Sequence, residues 1–200
     1  LVPLQVYNDS QIRRQSRFRE VPAFIREVLA SFARHAGPDA LLVFKHHPLY
    51  RPYIEASPFA VLATRGPNGL DTSPRGDAPG FVQVADATTL LLPDRRGNQR
   101  IDSLRNIVHN PQVALLFLVP GIGEALRVNG TARISAAPAL CQAFTVDGKA
   151  PASVLVILVR SVYFQCARAI KRSGLWEASA QIDRGALPSP GAILECLSRE

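Results

Sequence analysis

Two hundred residues, 47% hydrophobic and 20% charged, can bury a sizeable core as one domain of moderate size. The formal net charge is +7, and Lys45, Lys149 and Lys171 are the only lysines among 23 basic residues, so the positive charge is arginine, which suits bidentate contacts to phosphate. No apolar run approaches the ~20 residues that span a bilayer, which excludes a spanning helix and gives no reason to expect a membrane partner.

No basic stretch followed by an apolar core opens the chain, so no secretory signal is read there, and a chain without methionine does not display its own start. Cys141, Cys166 and Cys196 form neither a disulfide framework nor a Cys-x-x-Cys pair and read as thiols in a reducing cytoplasm.

Helical spacing dominates up to Gly37: Val21, Phe24, Ile25, Val28, Leu29 and Phe32 recur every three or four residues, and Pro22 suits a first turn. Upstream, Arg13, Arg14, Arg17 and Arg19 read as the solvated face of a separate helix capped by Asn8, Asp9 or Ser10. From Ser57 the texture becomes β-rich. Runs at 59–64 and 70–73 flank the turn Arg65-Gly66-Pro67-Asn68-Gly69, and runs at 80–85 and 88–92 flank Asp86-Ala87. A helix over 101–108 carries Leu104, Ile107 and Val108 on one side and stops at Asn110-Pro111.

Strands at 113–119 and 124–134 surround Pro120-Gly121-Ile122-Gly123, a helix is predicted at 138–144, and the last strong strand is 153–164. Residues 154–159 are continuously apolar, so both faces of that strand should be covered. The tail holds Trp176, a Pro- and Gly-rich linker and a short helix begun by Ser189-Pro190. Six antiparallel strands close naturally into a small barrel, because closure removes unpaired edges. The fold expected is therefore a mainly β, six-stranded antiparallel barrel with peripheral helices. Residues 1–56 form an N-terminal helical extension packed on it, and residues 57–200 form the barrel domain with its C-terminal segment.

Three polar clusters are not explained by a core. Thr72-Ser73-Pro74-Arg75-Gly76-Asp77-Ala78-Pro79-Gly80 packs two prolines, two glycines, a cation and a carboxylate into one connection. Pro93-Asp94-Arg95-Arg96-Gly97-Asn98-Gln99-Arg100 runs from a strand end into a helix start, where free N–H groups and the helix dipole favour an anion; the alternative is an exposed charged loop. Lys171-Arg172-Ser173-Gly174-Leu175-Trp176 joins cations to the only tryptophan, which could wall a planar ring or simply plug the core.

These residues resemble the FMN-binding split-barrel family of pyridoxamine 5'-phosphate oxidase-related flavoproteins. The resemblance runs through Ser57-Pro58-Phe59, Ser73-Pro74-Arg75-Gly76-Asp77, Pro93-Asp94-Arg95, Gly97-Asn98-Gln99-Arg100, Leu126-Arg127-Val128-Asn129-Gly130-Thr131-Ala132, Cys166-Ala167-Arg168 and Arg172-Ser173-Gly174-Leu175-Trp176. It implies a six-stranded split barrel and a homodimer with FMN at the subunit interface. It further implies that Ser73 and Arg75 line the flavin site, that Asn98 and Arg100 hold the phosphate, and that Asp94 and Arg95 sit by the ring or ribityl chain. Arg172 and Trp176 would reach the flavin from late in the chain, across the dimer.

An oxidoreductase acting on a small molecule or electron donor is the activity implied, with a non-catalytic flavin sensor or carrier as the alternative. Some relatives take a deazaflavin or haem instead. No Arg-x-His-Asp-Arg segment, which binds the substrate phosphate in true pyridoxamine phosphate oxidases, occurs after Trp176, so the vitamin substrate is not implied.

Other chemistries lack their residues. Gly121-Ile122-Gly123 precedes no helix, His46-His47 has no further ligands at metal spacing, and no serine sits in a Gly-x-Ser-x-Gly elbow. No metal is therefore expected. Nucleic acid is the rival partner for an arginine-rich barrel, but Phe59, Phe81 and Phe117 fall inside apolar strands, where core packing is the expected role.

Overall fold

A computed structural model of the chain describes residues 2–3, 21–35, 44–45, 50–97 and 100–198. The first elements are a two-residue parallel pair, β1 (Val2–Pro3) with β2 (Phe44–Lys45), and helix α1 (Val21–His35), where the apolar spacing predicts one. The arginine cluster at 13–19, its caps at 8–10, Gly37 and His46-His47 lie outside the described residues. Helix α2 (Tyr50–Ala56) then leads into β3 (Phe59–Gly66), β4 (Gly69–Gly76), β5 (Gln83–Val84) and β6 (Thr89–Pro93). Helix α3 (Asp102–His109) precedes β7 (Gln112–Leu118) and β8 (Ala125–Ser135); α4 (Pro138–Gln142), β9 (Val154–Gln165), α5 (Arg168–Ser173) and α6 (Pro190–Leu197) complete the order.

Strands β3 to β9 form one antiparallel sheet in the order β4-β3-β7-β8-β9-β6-β5. Alternate residues point inward: Leu62 of β3, Phe117 of β7, Leu126 and Val128 of β8, Leu155 and Ile157 of β9 and Leu90 and Leu92 of β6 share one buried cluster. Since both halves of the sheet feed that cluster, the sheet curls around it. Ile54 of α2 and Ile107 of α3 close its ends.

The architecture is mainly antiparallel with peripheral helices, as expected, but seven strands replace six and the sheet does not close. Two local causes account for this. The predicted strand at 80–85 shrinks to two pairing residues because Phe81 and Val82 turn into the core. On the other edge, β4 runs on through Pro74 to Gly76, so residues 72–76 are strand rather than connection; a proline is tolerated there because an edge strand has one side free of ladder bonds.

Strand β9 departs from expectation in another way. Leu155 and Ile157 are buried on the inner face; on the outer face Val154 is buried against Cys141 and Phe144, while Val156 is half-buried and Leu158 40% exposed, so a single chain covers the outer face of the apolar run only at its start.

Smaller features fix the frame. Ser57 is fully buried, with its hydroxyl 2.6 and 2.7 Å from the Phe59 and Leu118 carbonyls, which ties the entry of β3 to the end of β7. In the turn between β5 and β6, Asp86 accepts the Thr88 N–H at 2.8 Å, which holds its carboxyl below the ordinary range. Ser189 caps α6 by accepting the Ala192 N–H at 3.1 Å.

At Gly130, beside the register shift between β8 and β9, a Cβ would run into the Leu158 carbonyl oxygen and close on its carbon. Backbone cannot swing aside as a side-chain tip can. Gly130→Ala is therefore expected to cost about 1–3 kcal/mol, read as a lower urea midpoint with an unchanged slope.

Candidate functional site

A cavity of about 950 Å³ opens beside the edge strand β4. Its walls are residues 71–76 of β4, the end of β6 and the chain after it at 93–97, residues 100–104 at the start of α3, and Phe81 and Ala152. This volume lies at the upper end of the ~300–1,000 Å³ usual for a small-molecule or cofactor pocket. Five residues predicted from sequence meet in it: Ser73, Arg75, Asp94, Arg95 and Arg100. Asn98 lies outside the described residues.

Arg172 and Trp176 do not line it. Arg172 is exposed on α5, and half-buried Trp176 donates its indole N–H to the Ile122 carbonyl at 2.8 Å, so it pins the tail to the turn before β8 rather than plugging the core.

The charges of the cavity are largely paired across elements that neighbour in space rather than in sequence. Arg75 Nη1 donates to Asp94 Oδ1 at 2.8 Å, joining β4 to the end of β6. Arg95 Nε donates to Asp77 Oδ2 at 2.7 Å, and its Nη1 donates to the Phe144 carbonyl, which fastens the loop after β6 to the turn following α4. Arg100, more exposed, donates to Asp102 at 2.8 Å. Arg75 Nε is buried without a hydrogen-bond partner among the described residues. A buried guanidinium donor facing nothing is costly, so a ligand acceptor is the natural complement.

Helix α3 adds a second anchoring feature. Its first residues, Asp102, Ser103 and Leu104, line the cavity, and no side chain caps its N-terminus. The preceding Ile101 also lines the cavity and sits in the left-handed region at φ 52°. For a β-branched residue that conformation costs about 1–3 kcal/mol, and strained residues of this kind cluster at binding sites as well as in turns. Periodicity carries no signal for it. Asp77 was legible only as the carboxylate two residues beyond Arg75; its partner Arg95 could not be read from spacing. Among the described residues no cluster of histidine, cysteine and acidic side chains could hold a metal, and no helix is long and apolar enough to cross a membrane.

Two family models match the chain. One, for capsule polysaccharide biosynthesis protein, covers residues 1–64; the other, for pyridoxamine 5'-phosphate oxidase, covers residues 47–166. The chain is 49% identical over 55 residues to the capsule polysaccharide modification protein LipB of Neisseria meningitidis, across 28% of this chain and 13% of that protein. It is 51% identical over 61 residues to the capsule polysaccharide export protein KpsS of Escherichia coli, across 28% of this chain and 16% of that one. The chain thus spans a small fraction of the length of both curated relatives.

Among solved structures, HupZ of Group A Streptococcus is similar at 21% identity and a TM-score of 0.49, with 60% of this chain and 94% of that one covered. The second family model takes in the cavity, the sheet from β3 to β9 and helix α2. Matched over more than half its length, the chain belongs to the pyridoxamine 5'-phosphate oxidase family.

Proposed function

We propose that the cavity holds FMN and that the protein is an FMN-dependent oxidoreductase acting on a small molecule or electron donor. The observation that carries this reading is the buried, unpartnered Nε of Arg75 in a cavity that also takes in the uncapped first turn of α3. The residues present fit the cofactor: a phosphate needs free N–H groups and cations, here the start of α3 with Arg96 and Arg100. A planar ring needs a flat wall and a few fixed polar atoms, here Phe81 with Ser73, Arg75 and Asp94.

FMN, when bound, supplies the hydride or electron acceptance that amino-acid side chains lack. The chain's own residues bind, orient and exclude water. Arg95, clamped between Asp77 and Phe144, keeps the loop after β6 folded over the site.

A homodimer with the flavin at the subunit interface is part of the proposal. On the outer face of the sheet Val61 and Leu116 pair on one side and Val156 and Leu158 on the other, with Arg127, Thr131 and Arg133 of β8 between them, and a second subunit would cover the two apolar pairs. Arg172 and Trp176 would then meet the flavin from the second subunit. Residues 1–56 are assigned as the extension and 57–200 as the cofactor-binding unit, with Ile54 of α2 the part of the extension that enters the core. A cytoplasmic setting suits three free cysteines. Nucleic-acid stacking finds little support: Phe81 and Phe117 are core residues, and Phe59, expected in the core, is exposed at the start of β3 but stands alone of the three.

The test is an absorbance spectrum of the freshly purified protein with mass identification of the released chromophore, followed by titration with FMN and with riboflavin, which lacks the phosphate. Flavin bands and an FMN mass are expected. Replacing both Arg96 and Arg100 with alanine should weaken FMN about tenfold and leave riboflavin nearly unchanged. A colourless protein that also refuses added FMN overturns the reading.

A further inference from the structure

Two Asn-Gly pairs occur in the chain, and the fold treats them oppositely. We propose that Asn68 is a covalent modification site, converted by its own neighbour into isoaspartate and aspartate, while Asn129 is held back from the same reaction.

The reaction asks for a small following residue, a backbone N–H that can lose its proton, and a side-chain amide free to turn toward it. Both pairs satisfy the first demand; only Asn68 satisfies the others. It stands with Gly69 at the exposed tip of the β3–β4 hairpin, where the space beside Gly69 is open and φ is 113°. None of the described hydrogen bonds engages the Asn68 amide. Gly66 and Gly69 are the last rung of the ladder and close a loop of Pro67 and Asn68. End rungs open at little cost, which frees the Gly69 N–H.

At the other pair, Asn129 Nδ2 donates to Ser161 Oγ at 3.3 Å and to Tyr163 Oη at 3.4 Å. Gly130 is buried and registered against Val113 of β7 on one side and Val159 of β9 on the other, so exposing its N–H means parting a strand from its neighbours.

Hydroxide takes the Gly69 amide proton, and the nitrogen attacks Asn68 Cγ. A C–N bond closes a succinimide, the Cγ–Nδ2 bond breaks, and Nδ2 leaves as ammonia with a proton from water. Water then opens the ring: cleavage at Cγ gives aspartate, and cleavage at the main-chain carbonyl routes the backbone through Cγ as isoaspartate. Nothing is oxidised or reduced. Either product adds a negative charge, and isoaspartate also adds a methylene to the loop. The longer loop strains the Gly66–Gly69 rung, and β4 runs from Gly69 straight into the cavity wall at 71–76.

The test incubates the folded protein in warm, mildly alkaline buffer and follows it by tryptic mapping. Cleavage after Arg65 and Arg75 releases peptide 66–75, and cleavage after Arg127 and Arg133 releases 128–133, so each pair reports separately. Peptide 66–75 is expected to gain the mass of OH in place of NH2 and to accept methyl from S-adenosylmethionine through protein isoaspartate methyltransferase. It should convert at least about tenfold faster than 128–133, the difference set by the cost of opening each ladder. In unfolding urea the two rates should come within about threefold, because the dipeptide is the same.

An unmodified 66–75, equal rates in the folded protein, or a gap that persists in urea overturns the proposal. Asn68→Gln, which would need a larger ring, should abolish the change. Asn68→Asp carries the charge without the methylene, so amide exchange across 70–76 should be faster in the converted wild type than in this variant. Equal exchange overturns the link to the cavity wall.

Discussion

Arg75→Ala is expected to weaken FMN binding by about 2 kcal/mol, roughly thirtyfold, and to release the cofactor on dialysis from a protein that still folds. Arg75 stands on the edge strand β4 and contributes nothing to the buried cluster, so its loss opens no void in the core. What disappears is the donor whose Nε is buried and unpartnered, together with the 2.8 Å contact that orients Asp94.

Arg75→Lys should not restore binding. An ammonium can reach one carboxylate oxygen but cannot hold it while presenting a second N–H at a fixed angle, as the planar guanidinium does. Equilibrium titration of the stripped protein, paired with circular dichroism, separates lost binding from lost structure. Retention of full flavin occupancy by both variants would remove Arg75 from the site.

The largest effect on stability is expected at Phe117. It is 1% exposed on β7, opposite Ala60 of β3 on one side and Leu126 of β8 on the other. Truncation to alanine leaves a cavity that two central strands cannot fill without breaking their ladders, at a cost of about 3–5 kcal/mol. Against a total of about 5–15 kcal/mol for a domain, that is a large share. Urea unfolding should show a much lower midpoint with the same slope. Leu158→Ala, on the exposed outer face of β9, should change monomer stability by less than ~1 kcal/mol, because little surface is withdrawn from water there in one chain.

The contrast between those two positions shows what the sequence could convey. In 124–134 the polar residues Arg127, Asn129, Thr131 and Arg133 alternate with Leu126, Val128, Ala132 and Ile134, and it is the apolar set that packs inward, since period two is a property of the strand itself, whereas 113–119 is apolar throughout. The unbroken run at 154–159 carries no alternation, so sequence alone could not say that Leu158 faces outward. Phe81 and Val82 look like strand and are used as core, because burial of two apolar side chains outweighed extension of an edge ladder.

The site was legible in part for a similar reason. Ser73, Arg75, Asp94, Arg95 and Arg100 lie in two polar clusters that a core does not explain and that the family resemblance assigns to the flavin, although the sequence predicts a connection at residues 72–76, which are strand. The ion pairs Arg75–Asp94 and Arg95–Asp77 join residues 19 and 18 positions apart and depend on how the sheet curls, which no local pattern encodes. Helix α2 is the counterpart at the other end of the chain. Its sequence falls within both matched regions, yet Ile54 belongs to the barrel's core, and Tyr53 meets Phe164 of β9 edge-on with ring centres 4.7 Å apart.

Pro74 bears on the solubility of the whole protein. Strand β4 is eight residues long and is the last strand on its side of the sheet, so its outer row of backbone groups is a template on which another molecule's strand could grow. Pro74, the sixth of its eight residues, interrupts that row: it keeps register with Val61 while offering no N–H to a newcomer, and the charged Arg75 follows it directly. The edge that borders the cavity is thereby protected from fibrillar growth and stays accessible to a small ligand.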